Sequence, residues 1–289
     1  YCFTIDCFIR DDCIGYICNC TGPAWRDPTM NEQKELERYS VITEKNPREI
    51  VLLRGSGCRW RRCAFCDYHL DYSRDEEANY HLNRRELAKV TGRYHCLEAI
   101  NSGSFCDLDE DTMTLIEETC LERGIRQLHF ECHWMHRSEI PAVRRRFADK
   151  GIAVKIKSGI ETFDYGFREN ILRKGIDEAD PARLCAPFDE ICLLFGLTGQ
   201  TAASMRRDIE TGLALNERVC INIMTENTTA VRPDRDVIAV FARELYPLYI
   251  ADPRVDILME NTDFGVGGGQ APKRTGAQPE SEKSTGKKQ

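Results

Sequence analysis

No apolar run in the chain approaches the length of a bilayer span, so no transmembrane helix and no membrane partner are expected. Basic residues are not in excess: 40 Lys and Arg against 47 Asp and Glu leave a net charge of −7. Broad nucleic-acid binding needs a positive surface and gains no support from that balance, although a local basic patch remains open. No internal repeat is evident, and no basic segment leading into an apolar stretch marks a secretory signal. What is abundant is cysteine. There are 15, an odd number, spread over apparent strands and helices, unlike a secreted disulfide scaffold, and a reducing cytoplasm fits best. A length of 289 residues with 42% hydrophobic and 30% charged residues suits one globular domain of barrel size.

The densest feature is Cys58-Arg-Trp-Arg-Arg-Cys63-Ala-Phe-Cys66, followed by Asp67, Tyr68 and His69. It comes directly after Ile50-Val-Leu-Leu-Arg-Gly-Ser-Gly57, a short buried strand entering a glycine-containing turn. Thiols so close together on a loop point to a metal. His69 could complete a closed Cys3His zinc site. Alternatively, three thiolates hold an iron–sulfur cube and leave one iron open to a substrate or cofactor. The plainest alternative is a set of unpaired buried cysteines.

Residues 1–29 carry Cys2, Cys7, Cys13, Cys18 and Cys20 at spacings that match no ligand pattern, ahead of Met30 and an ordinary helix start. They are expected to be an extension outside the folded domain, either an accessory tail or a gene-calling product; the alternative is a second metal site made from these five cysteines. Residues 30–266 are expected to form one domain. After Val266 almost no apolar residue occurs, too few to offset the entropy of ordering, so 267–289 is expected to be a disordered tail.

Between these ends strands and helices alternate. Strands are expected at Glu49–Leu53, Cys96–Asn101, Arg126–Glu131, Ala153–Lys157, Glu190–Phe195, Val219–Met224 and Val255–Met259. Helices are expected at Asp111–Glu122, Pro141–Lys150, Phe167–Lys174, Ala202–Leu215 and Asp236–Tyr246, with Gly124, Gly151 and Gly175 as end caps. In Asp111–Glu122, Met113, Ile116 and Cys120 recur at helical spacing. Such units imply an α/β fold with a parallel sheet and right-handed crossovers. Periodicity alone allows an incomplete barrel, a full barrel or an open doubly wound sheet.

In all of these the chemistry lies at the carboxyl ends of the strands. After the third expected strand come Glu131, His133, Trp134 and His136, of which Glu131 could bind a polar substrate or a ribose. On the fourth, Lys155 and Lys157 share a face, and one or both should point into the barrel mouth. The last strand ends in Glu260, Asn261 and Asp263. A carboxylate among them could accept from N1–H and the exocyclic amine of a guanine-like edge, or the group could cap a turn.

Cys-x4-Cys-x2-Cys with Phe65 before its last cysteine resembles the cluster loop of radical S-adenosylmethionine (SAM) enzymes, whose usual spacing is one residue shorter between the first two ligands. The runs Arg54-Gly-Ser-Gly-Cys58-Arg-Trp, Asp67-Tyr-His-Leu-Asp71, Ile100-Asn-Ser-Gly-Ser-Phe105 and Asn261-Thr-Asp-Phe-Gly265 resemble the queuine lyase subgroup, over about residues 30–268. That resemblance implies a single-domain partial (β/α)6-type barrel and a [4Fe–4S] cluster on Cys58, Cys63 and Cys66. It implies SAM held by Phe65, by Asn101, Ser102 and Ser104 where the family has a small-residue motif for the amino group, by Lys157 and Glu161 at the methionyl carboxylate or ribose, and by Asn222 along the adenine. For the substrate it points to Glu131, Glu260, Asn261 and Asp263.

The implied reaction passes one electron to the sulfonium, forms a 5′-deoxyadenosyl radical and cleaves queuine to 7-aminomethyl-7-deazaguanine for queuosine salvage. An electron donor such as flavodoxin or ferredoxin is implied, with a free nucleobase and not a nucleic acid as substrate. No residue is assigned to the catalytic step itself. The rivals are a radical SAM enzyme acting on intact tRNA and a non-catalytic zinc- or RNA-binding module using Arg59, Arg61 and Arg62.

Overall fold

The computed structural model describes residues 36–259. The extension, the C-terminal tail and Glu260, Asn261 and Asp263 lie outside the described residues.

One eight-stranded sheet follows sequence order: β1 Tyr39–Ile42, β2 Arg48–Leu53, β3 Cys96–Asn101, β4 Gln127–Glu131, β5 Ala153–Glu161, β6 Glu190–Phe195, β7 Arg218–Ile223 and β8 Val255–Leu258. β1 is antiparallel to β2, and β2 to β8 run parallel. The crossovers contain α1 Glu76–Leu87, α2 Glu110–Glu122, α3 Ile140–Ala148, α4 Pro181–Cys185, α5 Ala202–Leu215 and α6 Arg235–Glu244. Strand order without reversal excludes a doubly wound sheet, and β1 does not pair with β8. The architecture is the partial (β/α)6 barrel. No helix among the described residues is long and apolar enough to cross a membrane.

Alternation along each strand sorts the side chains. Outward residues such as Leu97, Leu128, Phe130, Val154 and Ile156 pack with Met113, Ile116 and Cys120 of α2 and with the other helices in one apolar core. Inward residues are polar to an extent unusual for a barrel, whose interior is normally filled by branched apolar layers. Arg48 Nε bonds Glu98 at 2.6 Å, and Lys157 bonds the same carboxylate. Arg48 also lies 3.4 Å from Asp256, which pairs with Arg218. Glu190 sits 3.3 Å from both Arg218 and His129. This charged floor links β2 to β8, and Lys45 Nζ donating to Ile250 O at 2.8 Å supports the same seam.

The structure lengthens one strand and shortens one helix. β5 continues past Lys157 to Glu161, with a register shift between Gly159 and Glu161. The expected helix Phe167–Lys174 is helical only over Phe167–Ile171. Gly175 N and Ile176 N donate to Glu169 Oε2 at 2.8 and 3.1 Å, and the chain leaves the helix before Lys174. Gly175 is therefore no helix cap. Neither β1 nor α1 was expected. α1 escapes an apolar search because its buried face carries Asn79, Asn83 and Glu86. Asn83 accepts from Arg54 N and donates to Arg54 O, anchoring the turn after β2.

His129 supplies a pH test of the floor. Burial disfavours its charged ring, but Cys96, Glu190 and Glu98 outweigh that and push its pKa up to about 9. The folded pKa exceeds the unfolded value of 6.5, so the stabilisation is complete below about pH 6.5 and is lost as pH rises through 9. Parent and His129→Gln, compared by urea unfolding, are expected to differ by a few kcal/mol at pH 6 and to converge near pH 10. A constant difference would show that His129 acts through packing alone.

Candidate active site

The turn after β2 delivers the cysteine loop to the carboxyl ends of the strands, where three clamps hold it. Ala64 N donates to Leu172 O at 2.9 Å, and Trp60 Nε1 to Arg173 O at 2.9 Å. Asp67 is buried and accepts from Thr228 N and Oγ1, both at 3.0 Å, while Asn227 Nδ2 donates to Phe65 O at 2.7 Å. The Trp60 ring stacks on His133 with centroids 6.0 Å apart. His133 Nδ1 accepts from Met135 N, and Nε2 lies 2.9 Å from Lys174 O. Burial and then Lys174 bring the His133 pKa down to about 4, so the ring is neutral and serves as a brace.

Trp60 lies on Gly175, whose φ is +74°. A Cβ there would come within 2.2 Å of the indole ring, which is held by its own hydrogen bond and stack and cannot swing away cheaply. Gly175→Ala is expected to cost about 2 kcal/mol or more, the left-handed backbone and the clash both contributing. Chemical unfolding and metal uptake by the purified variant check this. Unchanged stability would mean that the cysteine loop moves freely over this segment.

Cys58, Cys63 and Cys66 line one cavity of about 200 Å³ together with Phe65, Asn101, Ser102 and Gly103. All three thiols are free. No group of three or more His, Cys, Asp or Glu side chains among the described residues converges as a single-ion site. His69 lines the same cavity without completing a zinc tetrahedron. Burial raises the Cys63 thiol and pushes Cys66 up to about 12, with Lys174 opposing both. Lys174 Nζ lies 2.6 Å from Glu161 Oε1. Burial disfavours its charge, but the Glu161 carboxylate outweighs this and keeps the ammonium protonated. Gly159 makes room for the pair, since a Cβ there would meet Glu161 Oε1 at 2.6 Å and Lys174 Nζ at 3.1 Å. Leu194 and Met224 pack with Phe65 as an apolar wall, and the Lys174 ammonium lies over the Phe65 ring, 5.6 Å from its centroid.

A second cavity of about 430 Å³ lies deeper in the barrel, on the charged floor. Its floor presents Arg48, Glu98, Lys157 and Asp256, and its walls include Ile50, Ile100 and Leu258. Glu131, Asn101, Ser102, Asn222, Tyr68 and Cys192 line both cavities. Glu131 makes no hydrogen bond or ion pair with the described residues. Burial raises its pKa, while Lys157 and Lys174 pull the other way. It is an unneutralised carboxylate at the junction of two spaces.

The structure gathers Phe65, Asn101, Ser102, Glu161, Asn222 and Glu131 with the cysteines around the upper cavity. It separates two others. Ser104 lines neither cavity: its Oγ accepts from His133 N at 2.9 Å and its O from Asn101 Nδ2 at 3.0 Å. Lys157 sits on the floor with Glu98, and Lys155 lies further down the strand, 2.5 Å from Glu217, so neither reaches the mouth. The lysine beside the cysteines is Lys174, which carried no signal inside a presumed helix. Arg48, Glu98 and Asp256 were also missed, although charges at alternate positions within apolar strands could have flagged them.

A cysteine loop after the first parallel strand of a partial barrel, facing a cavity at the carboxyl ends, defines the class of radical SAM enzymes. No protein-family model and no curated protein matches the chain. Among solved structures, queuine lyase from Clostridium spiroforme bound to SAM and queuine is 39% identical, covers 81% of this chain and 100% of that chain, and superposes with a TM-score of 0.76. An endo-α-mannosidase from Bacteriodes thetaiotaomicron is 12% identical, covering 75% of this chain and 85% of that one, with a TM-score of 0.34 that carries no weight. The chain belongs to the queuine lyase family of radical SAM enzymes.

Proposed function

We propose that this chain is a queuine lyase that binds a [4Fe–4S] cluster on Cys58, Cys63 and Cys66 and SAM in the upper cavity. The donor set fits a cube, in which each thiolate takes its own iron. When bound, the cluster and SAM supply a 5′-deoxyadenosyl radical that abstracts hydrogen from the substrate. The residues present fit SAM as well. Lys174 offers a cation to a carboxylate or to the anionic cluster, Asn101 and Ser102 offer acceptors to an ammonium, and Leu194 and Met224 offer an apolar wall to the adenine. A one-electron donor such as flavodoxin or ferredoxin would meet the exposed Arg59 and Arg62 of the cysteine loop.

Glu131 carries the assignment of substrate. Queuine has a secondary amine, normally protonated, between its base and its cyclopentenediol. An unpaired carboxylate at the junction of the cavities suits that ammonium, beside the carbon–nitrogen bond to be broken. The 7-deazaguanine then extends downwards. Its edge presents one acceptor beside two donors, and the floor answers with Lys157 and Arg48 as donors and Glu98 and Asp256 as acceptors. The cyclopentenediol stays near the cofactor cavity, shielded from water by the cysteine loop and the loop after β7.

The test is anaerobic incubation with SAM, reductant and queuine, followed by mass spectrometry for 5′-deoxyadenosine and 7-aminomethyl-7-deazaguanine. Both products are expected in step. An enzyme that ignores queuine but consumes SAM with tRNA would replace this assignment by tRNA modification.

A further inference from the structure

Hydrogen abstraction leaves a radical on the substrate, and a closed-shell product requires one hydrogen atom in return. None of the groups described so far supplies it. Cys192 on β6 and Cys220 on β7 are register partners on adjacent parallel strands, and the Cys220 thiol faces Asn222 Oδ1 at 4.0 Å. They are only 7% and 8% exposed, and both are free. Unlike Cys120 and Cys185, which pack in the apolar core, they occupy inward positions: Cys220 lines the deep cavity and Cys192 lines both. Cys192 is therefore a thiol at the same junction as Glu131, where the carbon–nitrogen bond to be broken is placed.

We propose that Cys192 donates the hydrogen atom that quenches the substrate-derived radical. The inference rests on the radical-lyase assignment above. In this step the Cys192 S–H bond breaks homolytically, a C–H bond forms on the product, and the unpaired electron remains on sulfur. One electron from the carrier that reduces the cluster and one proton from water restore the thiol. Sulfur suits the task because its bond to hydrogen is weaker than a C–H bond or the O–H bond of serine or water. The neighbouring Cys220 and burial raise the Cys192 pKa and keep the thiol protonated, as a donor must be. Tyr68 also lines both cavities, and its phenol is the competing donor.

Parent, Cys192→Ala, Cys192→Ser and Tyr68→Phe, brought to equal cluster absorbance, are mixed with SAM, queuine and reductant in D2O. Samples are freeze-quenched for electron paramagnetic resonance, and the products are weighed by mass spectrometry. The parent is expected to show no accumulated carbon-centred radical and to place one solvent deuterium in its product. Both Cys192 variants are expected to form 5′-deoxyadenosine in the first turnover, to accumulate a carbon-centred radical, and to yield roughly tenfold less product per deoxyadenosine. Serine keeps the side-chain size, so loss in both variants separates chemistry from packing. A parental product ratio without a radical in both variants overturns the proposal, as does radical accumulation confined to Tyr68→Phe. If the parent forms no deoxyadenosine, the lyase assignment itself fails and the proposal with it, an outcome visible without any substitution.

Discussion

Replacing Cys63 with alanine is expected to reduce the iron and acid-labile sulfide of the reconstituted protein to background, and Cys58→Ala and Cys66→Ala should do the same. Each thiolate binds a separate iron of a cube, so the remaining two cannot hold it. The loop itself should keep its shape, because Trp60, Ala64 and Asp67 anchor it through bonds that involve no cysteine. Circular dichroism and unfolding should therefore stay close to those of the parent while the brown colour is lost. Cys106→Ala and Cys192→Ala serve as controls and are expected to retain iron. A triple variant of Cys58, Cys63 and Cys66 that still holds a full cluster would remove the basis of the assignment.

The second large effect is expected at Glu131. Glu131→Gln keeps the size of the side chain and removes its charge, so queuine binding should weaken by roughly 1–3 kcal/mol, about five- to 150-fold. Iron content and SAM affinity should be unchanged, because Lys174 and Glu161, which serve the upper cavity, are paired with each other. Burial raises the Glu131 pKa, and an ammonium is bound by the ionised carboxylate. Queuine affinity of the parent should therefore begin to fall, on acidification, at a higher pH than an exposed glutamate would allow. Calorimetric titration of the cluster-loaded protein with queuine, with SAM present, checks both statements. Parental affinity in Glu131→Gln would place the ammonium elsewhere and remove the reason for setting the carbon–nitrogen bond at the junction.

Some of this was legible in the sequence because it is local. The three cysteines stand within one loop, so their grouping could be read before any fold was known, and the structure sets all three on one cavity. The strands at Cys96–Asn101 and Glu190–Phe195 lie where their apolar runs put them, and Met113, Ile116 and Cys120 are the buried stripe of α2 that their spacing indicated. Alternation also put Lys155 and Lys157 on one face. It could not say how far up the barrel each would sit, because height depends on the register of β5 against its neighbours. That register sets Lys157 beside Glu98 on the floor and leaves the mouth to Glu161 and Lys174. Lys174 reaches the cysteines because Glu169 ends a helical turn locally and Trp60, 113 residues before Arg173, bonds its carbonyl and covers Gly175. The charged floor is likewise assembled from single inward residues on strands from β2 to β8, none of which forms a motif with its own neighbours. Short-range spacing determined the cysteine loop and the strand–helix alternation. Only the closing of the sheet, which brings Arg48 against Asp256 and Glu131 between two cavities, decided which charged side chains meet, because those contacts join strands far apart in the chain.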